Sequence, residues 1–247
     1  FRPRVAAAEV DRSLTANSFA VLDIQEDGLR LAWKIQYEFR RGRRSTLAAD
    51  IPAGYLLEKV IGDNVRGWEL KNGRLDVELL KDVTEHEEIT VFLSRRERVV
   101  TEGSSTISFP AVEVPDAMLH MGSIAIRRSP RLELNIQDLD QLVRADANDK
   151  AAEQLMRMAG EEESPLTIRP FQTYRFASNG FSATIIARSI PQQTEAIVDS
   201  VVRISPRRTE WEMRIRFAVK EIPVHVVKID LPAEFELRTI SQLEWVS

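Results

Sequence analysis

The chain has 247 residues, of which 43% are apolar and 29% charged, and it contains no cysteine. These proportions are typical of a globular protein and exclude a globally disordered chain, and the length allows one large core or two ordinary ones. The absence of cysteine excludes disulfides, thiolate metal ligands and cysteine nucleophiles. The formal net charge of −4 argues against a nucleic-acid partner, because such proteins usually carry a basic face.

No apolar run approaches the roughly 18–20 residues that are needed to cross a bilayer, so we expect no membrane span in this segment. The first residue is Phe rather than Met, and no signal-peptide pattern follows it. We therefore expect that an N-terminal stretch has been removed or that the segment is internal to a longer chain.

Alternation of apolar and polar residues predicts strands along most of the chain. The longest runs from Leu29 to Phe39, where every second side chain is apolar, as in a half-buried strand. Asn72-Gly73 predicts a tight hairpin, because both central residues of a type I′ turn need positive φ. Further strands are predicted at 47–51, 55–61, 68–70, 75–79, 88–93, 107–114, 123–127, 132–136, 166–175, 181–189, 196–204 and 211–219.

Asp138 to Ser164 is the exception, because its apolar residues recur at helical spacing. Asp146 or Asn148 is placed to begin the second part of this segment, and Gly160 to end it. The predicted fold class is therefore mainly β, with one or more antiparallel β-sandwiches and a short helical insertion around 138–160. The predicted domains are a β-sandwich at 1–137, a helical insertion or linker at 138–165 and a second β-sheet region at 166–247.

Residues 1–67 resemble residues 181–247 at a constant offset of 180, without a gap. The apolar positions of successive strands coincide, and Asp50-Ile51-Pro52-Ala53 falls on Asp230-Leu231-Pro232-Ala233. A unit of this length is a whole domain, since solenoid and propeller repeats have about 20–50 residues. The pattern predicts the start of a second domain copy in a larger repetitive protein. Alternatively, the last segment completes a sheet that the first segment begins.

The three histidines predict no catalytic or metal site. His86 lies in an acidic segment, Thr84 to Glu88, but alternation on a strand allows at most two of its ligands to converge, and metal sites need three or four. His120 lies among apolar neighbours and is predicted to be a core or edge residue, and His225 has no evident partner. Nucleophile-elbow and nucleotide-binding motifs are absent as well, so the prediction includes no catalytic residue, no metal and no cofactor, and it favours a non-enzyme.

Aromatic side chains on β-sheets often bind sugars, so the four tryptophans are candidates. Trp33 and Trp211 fall on Met213 and Leu31 in the repeat. A core position needs apolar volume, whereas a sugar platform needs the flat ring, so both are predicted to be core residues. Trp68, beside the predicted hairpin, and Trp245 remain as candidate ligand-binding residues.

The order of a long amphipathic strand, Asp50-Ile51-Pro52-Ala53-Gly54-Tyr55, Trp68-Glu69-Leu70 and the Asn72-Gly73 turn resembles large, repetitive exported bacterial proteins with tandem β-sandwich domains of unknown function. That resemblance covers mainly residues 20–95. It implies an extracytoplasmic location, in the periplasm, the cell envelope or outside the cell.

The predicted function is a non-catalytic β-sandwich module with a scaffold or binding role, whose partners are protein or polysaccharide surfaces. The alternative is a carbohydrate-binding or accessory domain of a glycoside-processing enzyme.

Overall fold

The computed structural model describes residues 14–100, 103–158, 168–190, 194–219 and 229–240. They lie in two compact units that divide between Gln192 and Gln193. The first unit contains β1 (Leu14–Gln25), β2 (Gly28–Phe39), β3 (Arg44–Asp50), β4 (Leu56–Ile61), β5 (Val65–Lys71), β6 (Arg74–Val83), β7 (His86–Arg95), β8 (Ser104–Ser108), β9 (Ala117–Arg128), β10 (Leu132–Asp140), β11 (Val143–Ala145), α1 (Asp149–Arg157), β12 (Arg169–Phe176) and β13 (Ser182–Ser189). The second unit contains β14 (Thr194–Ile204) and β15 (Thr209–Val219).

The first unit is organised around a seven-stranded sheet, in the order β11-β12-β9-β1-β2-β7-β4. Its centre is the β1–β2 hairpin, and β9 runs parallel to β1 while the other neighbouring strands are antiparallel. Two three-stranded sheets complete the unit, in the orders β3-β6-β5 and β10-β13-β8. The predicted mainly β, sandwich-like class is confirmed, with one parallel strand pair that the alternation pattern could not reveal.

One face of the large sheet packs against the two smaller sheets to form the main core. The predicted alternation from Leu29 to Phe39 is confirmed as β2, whose Leu31, Trp33 and Ile35 are each at most 1% exposed. Leu22 on β1 and Val77 on β6 belong to the same apolar cluster. Alternating residues therefore bury one side of each strand, which is the physical origin of the sandwich.

The opposite face of the large sheet is covered in part by α1. Ala152, Leu155 and Met156 of the helix pack on Val21 and Phe92 of the sheet. Asn148 begins the helix, as predicted, because its side chain accepts a hydrogen bond from the backbone N–H of Ala151 at 3.3 Å.

The helix is shorter than the sequence pattern predicted. Residues up to Asp140 extend β10 instead, and β11 follows at Val143. Asp138 and Gln141 have φ values of 52° and 56°, which interrupt any right-handed helix there. Gly160, the predicted end of the helix, lies outside the described residues.

The Asn72-Gly73 hairpin is confirmed, with φ values of 51° and 84° at its two central residues. It joins β5 to β6 in a register that pairs Trp68 with Val77. Left-handed backbone at both positions matches the twist of the flanking strands.

Strands β12 and β13 belong to the first unit. The sequence pattern assigned both of them to a second β region that begins at 166. β12 pairs with β9 in the large sheet, and β13 pairs with β10 and β8. These pairings join strands that are 40 or more residues apart, which local sequence patterns do not reveal. The compact units consequently divide at Gln192, after both strands.

The second unit contains a hairpin with the same register as β1–β2. Leu14 pairs with Phe39 at one end of the first hairpin, and Thr194 pairs with Val219 at one end of the second. Every pair of residues between β14 and β15 is displaced by 180 positions from a pair between β1 and β2. The offset found in the sequence therefore corresponds to an identical strand pairing.

The same turn follows each hairpin. The backbone N–H of Tyr55 donates to the carbonyl oxygen of Pro52 at 3.3 Å, and that of Phe235 donates to Pro232 at 3.0 Å. In the second unit the Phe235 ring lies 5.3 Å from the ring of Trp211, centroid to centroid. The corner thus folds back onto its own hairpin, as Tyr55 packs against the main core of the first unit.

Candidate functional site

Trp68 is the predicted ligand-binding residue that the described structure contains. It lies on β5, an edge strand of the β3-β6-β5 sheet, and 44% of its surface is exposed. Its cross-strand partner Val77 is fully buried, so the ring lies at the border between core and solvent. This placement leaves part of the ring available for contact.

Two ion pairs between exposed side chains lie on the other face of the same sheet. Arg66 pairs with Glu78 at 3.1 Å across β5 and β6, and Lys71 pairs with Glu69 at 2.7 Å along β5. Because side chains alternate along a strand, these charged groups point away from the face that carries Trp68. Trp68 also lines neither of the two grooves described below.

The other tryptophans are in different settings. Trp245 lies outside the described residues. Trp33 is fully buried, which confirms its prediction as a core residue, and its ring lies 6.5 Å from that of Phe181. Trp211, which was also predicted to be a core residue, is only partly buried in the second unit. Within the described part of the first unit, Trp68 is thus the exposed tryptophan.

A shallow groove of about 420 Å³ lies at one end of the large sheet, where β1 begins and β2 ends. It is lined by Thr15, Gln36, Glu38, Phe39, Arg40, Glu85 and His86. The predicted acidic segment thus contributes two side chains to an open polar surface. Nearby, Glu88 forms an exposed ion pair with Lys34 at 2.7 Å across β7 and β2.

A second groove of about 250 Å³ lies on the β10-β13-β8 sheet, lined by Glu133, Leu134, Asn135, Gln137, Ile186 and Arg188. Its polar side chains alternate along β10, as expected for the solvent side of a half-buried strand. Both grooves carry hydrogen-bonding groups without a deep cleft.

Three polar side chains form a cluster inside the main core. The Nε2 atom of His120 lies 2.8 Å from Oγ of Ser18, and its Nδ1 atom lies 2.7 Å from Oδ1 of Asn179. His120 is 1% exposed and Ser18 3%. The Asn179 amide nitrogen donates to the carbonyl oxygen of Val114 at 3.2 Å, which fixes the orientation of the amide.

This orientation determines where the imidazole proton lies. An amide oxygen only accepts, so Nδ1 of His120 carries the proton and donates to Asn179, while Nε2 accepts from the Ser18 hydroxyl. All three groups are satisfied with a neutral ring. Burial lowers the pKa of His120, and the hydrogen bond to Asn179 opposes that shift to a smaller extent.

The order of hydroxyl, imidazole and amide is that of a nucleophile, a base and an orienting group. A nucleophile must nevertheless reach its substrate, and Ser18 is buried between sheets. The cluster instead joins three separate segments: β1, β9 and the β12–β13 turn. His120 is a buried, hydrogen-bonded core histidine, as the sequence predicted.

Sequence reasoning did not identify Ser18 and Asn179. Ser18 occupies an inward position of an alternating strand, between Ala16 and Ala20. A hydroxyl at such a position signals a buried hydrogen bond, but its partner lies 102 residues away and cannot be read from the pattern.

A buried ion pair lies on the opposite face of the large sheet. Arg127 of β9 donates through Nε to one carboxylate oxygen of Asp23 at 2.7 Å and through Nη2 to the other at 2.5 Å. The Asp23 side chain is 1% exposed and the Arg127 side chain 12%. The pair locks the register of the parallel strands β1 and β9.

Within the described ranges, no three His, Cys, Asp or Glu side chains come close enough together to hold a metal ion. None of the helices that the structure describes is long and apolar enough to cross a membrane.

No protein-family model matches this chain, and no curated protein matches it either. Among solved structures, an M1 zinc metallopeptidase from Deinococcus radiodurans is similar at a TM-score of 0.42 and 10% identity, over 88% of this chain and 50% of that protein. A two-domain M1 zinc metallopeptidase bound to L-tryptophan has a TM-score of 0.42 and 11% identity, over 83% of this chain and 48% of that one. The chain therefore spans about half the length of these proteins, and similarity at this level supports no argument about activity.

Proposed function

We propose that this chain is a non-catalytic, scaffold-forming segment of a larger protein in which one β-domain is repeated in tandem. The observation that carries the proposal is the recurrence of the β1–β2 hairpin as β14–β15 in identical register. Register is set by the hydrophobic pattern and by the turn, so an unchanged register at the offset found in the sequence is what a duplicated hairpin would have.

The corner after each hairpin supports the same proposal. Pro52 and Pro232 accept a hydrogen bond from the residue three positions later, and each of those residues is aromatic. Because both the hairpin and the later turn recur, the repeat extends beyond a single pair of similar strands. In this proposal the first unit is one copy of the domain, and the second unit contains the counterparts of its first hairpin and corner.

The interior of the first unit is suited to a rigid structural role. Its polar core groups connect strands that are distant in the chain: Ser18 with His120, and Asp23 with Arg127. Each connection joins β9 to β1, which is the middle strand of the large sheet. Such satisfied buried groups fix one arrangement of the strands.

Limited proteolysis of the natural full-length polypeptide, followed by mass spectrometry, tests the proposal. We expect cleavage close to residues 190–193 and further cleavages that recur at intervals of about 180 residues, since boundaries between domains are the most accessible segments. A single resistant core without periodic fragments would contradict it.

The alternative function, carbohydrate binding, is favoured by one observation: the 44% exposure of the Trp68 ring on an edge strand. If it is correct, a glycan array identifies a ligand and Trp68→Ala weakens its binding by about tenfold, the loss of one stacking contact. Leu56→Ala is the matched control, because Leu56 is an apolar residue that is 62% exposed on another edge strand. Equal affinities of the two variants, or no bound glycan, would remove this alternative.

The extracytoplasmic location and a protein or polysaccharide surface as the partner belong to the same proposal. They derive from the resemblance to exported repetitive proteins. Fractionation of source cells with an antibody against this segment tests the location, and its recovery with cytoplasmic markers would overturn it.

A further inference from the structure

The β14–β15 hairpin exposes apolar side chains that a folded domain would bury. Val198, Val202 and Ile204 are 51%, 53% and 82% exposed. The hairpin is also a two-stranded sheet by itself among the described residues, so the outer edges of β14 and β15 have no strand beside them there. A two-stranded hairpin is only marginally stable alone, and unpaired edges invite further pairing.

The first unit shows what covers an identical hairpin. There β9 lies parallel along the free edge of β1, and β7 lies antiparallel along the free edge of β2. Leu22 and Ile24, which are the counterparts of Val202 and Ile204, are 0% exposed in the main core. Each position that is exposed on this face of the second hairpin is therefore a buried position in the first.

The two faces of the second hairpin differ in chemistry. The face that corresponds to the main core carries Trp211, Met213, Ile215 and Phe217 on β15. The opposite face carries ion pairs across the strands, Arg203 with Glu212 at 3.5 Å and Arg216 with Asp199 at 3.0 Å.

Glu212 is informative because it occupies the position of Ala32 in the first hairpin. Ala32 is fully buried beneath α1. A carboxylate paired with Arg203 does not fit beneath an apolar helix surface, since burying charge without full compensation is costly. The charged face also exposes Ile197 and Val201, but its ion pairs make it less suited to burial beneath an apolar surface than the face that carries Trp211.

We propose that the apolar face and both edges of β14–β15 are the docking surface for later strands of the same second domain, supplied by polypeptide that follows residue 247. One of those strands lies parallel to β14 and another antiparallel to β15, in the places that β9 and β7 occupy in the first unit. This inference rests on the proposed tandem function and extends it to the topology and the buried face of the second domain.

Hydrogen exchange distinguishes the two levels of the proposal. We compare residues 1–247 with the natural full-length polypeptide and use the amides of β1 and β2 as an internal standard. The amides of β14 and β15 are expected to exchange at least about 100-fold more slowly in the full-length polypeptide, because new strands cover both edges. Equal exchange in the two proteins would overturn both the tandem function and this inference.

Two neighbouring valines test which face is buried. Val201 and Val202 are 52% and 53% exposed and point to opposite faces of β14. Since their exposure is equal, we expect equal effects of substitution at the two positions in a protein of residues 1–247 alone. In the full-length polypeptide, Val202→Lys is expected to remove most of the protection of the β14 amides against exchange. Val201→Lys is expected to change their exchange rates by no more than about twofold, because the new ammonium faces Glu212 on the paired strand.

Val202→Ala and Val201→Ala repeat the comparison without a charge, and the same order of effects is expected at smaller size. Slow exchange in the full-length polypeptide together with a larger effect at Val201 would overturn the proposed face while leaving the tandem function intact. Slow exchange that appears in residues 1–247 only at high protein concentration would show that a second copy of this chain occupies the surface, and would also overturn the inference.

Discussion

Asp23 and Arg127 lie opposite each other on the parallel strands β1 and β9 and share two hydrogen bonds, with the carboxylate 1% and the guanidinium 12% exposed. Little water reaches this pair, so each charge depends on the other for compensation. The pair forms only when β1 and β9 are in this register, so it favours the correct alignment of the two strands.

Asp23→Asn is therefore expected to reduce the free energy of unfolding by about 3–5 kcal/mol, because it leaves a buried guanidinium without its counter-charge. Urea unfolding at neutral pH measures the change. Glu78→Gln is the control, since it breaks the exposed Arg66–Glu78 pair and should change the stability by about 1 kcal/mol or less. Similar losses in both variants would show that the Asp23 pair contributes no more than a surface pair.

The buried imidazole makes stability depend on pH. Burial lowers the pKa of His120 in the folded protein below the value of about 6.5 that it has when unfolded. Below that value the unfolded chain binds more protons than the folded one, so the stability that is complete above about pH 6.5 is lost as the pH falls through it. Midpoints of thermal unfolding between pH 8 and pH 5 measure the loss.

His120→Gln should flatten this pH profile, although it will also lower the stability at all pH values by removing hydrogen bonds to Ser18 and Asn179. His86→Gln is the control, because it removes an exposed histidine at the rim of a groove and none of the buried hydrogen bonds. A steep profile that survives in His120→Gln would assign the pH dependence to other groups.

A single glycine permits the close approach of β1, β9 and β12. A Cβ atom at Gly122 would lie 2.3 Å from the carbonyl oxygen of Ser18 and 2.9 Å from Cζ of Phe176. Gly122→Ala is expected to reduce the free energy of unfolding by about 1–3 kcal/mol or more, because the backbone of β1 must move. Chemical unfolding measures this loss.

Gly67→Ala is the matched control, since nothing lies within 4 Å of the corresponding Cβ position on β5. It should be neutral or stabilise the fold by up to about 1 kcal/mol, because alanine reduces the freedom of the unfolded chain. A loss of stability at Gly67 equal to that at Gly122 would refute the steric explanation.

The local features of the fold could be read from the sequence. The alternation in β2, the left-handed turn at Asn72-Gly73 and the helix start at Asn148 each depend on residues a few positions apart. The same holds for the burial of Trp33, whose exchange for methionine in the repeat indicated that only apolar volume was needed.

Features that depend on distant partners could not be read in this way. Helical spacing around Leu139 and Val143 was outweighed by the pairing of β10 with β13 and of β11 with β12. The parallel pairing of β1 with β9 and the partners of Ser18 likewise involve residues about 100 positions apart. Trp68 stays a prediction as a binding residue, because the fold settles its exposure but not its ligand.

In the tandem arrangement that we propose, the charge of Asp23 would also bear on how copies of one domain avoid exchanging strands during synthesis. β9 follows β1 by about a hundred residues, and a second hairpin of identical register follows β9. If β9 paired with β14 in that register, Arg127 would face Arg203 in place of Asp23. Like charges in a dry strand interface repel, so the reversal of one charge between the proposed copies would favour assembly of each domain from its own strands.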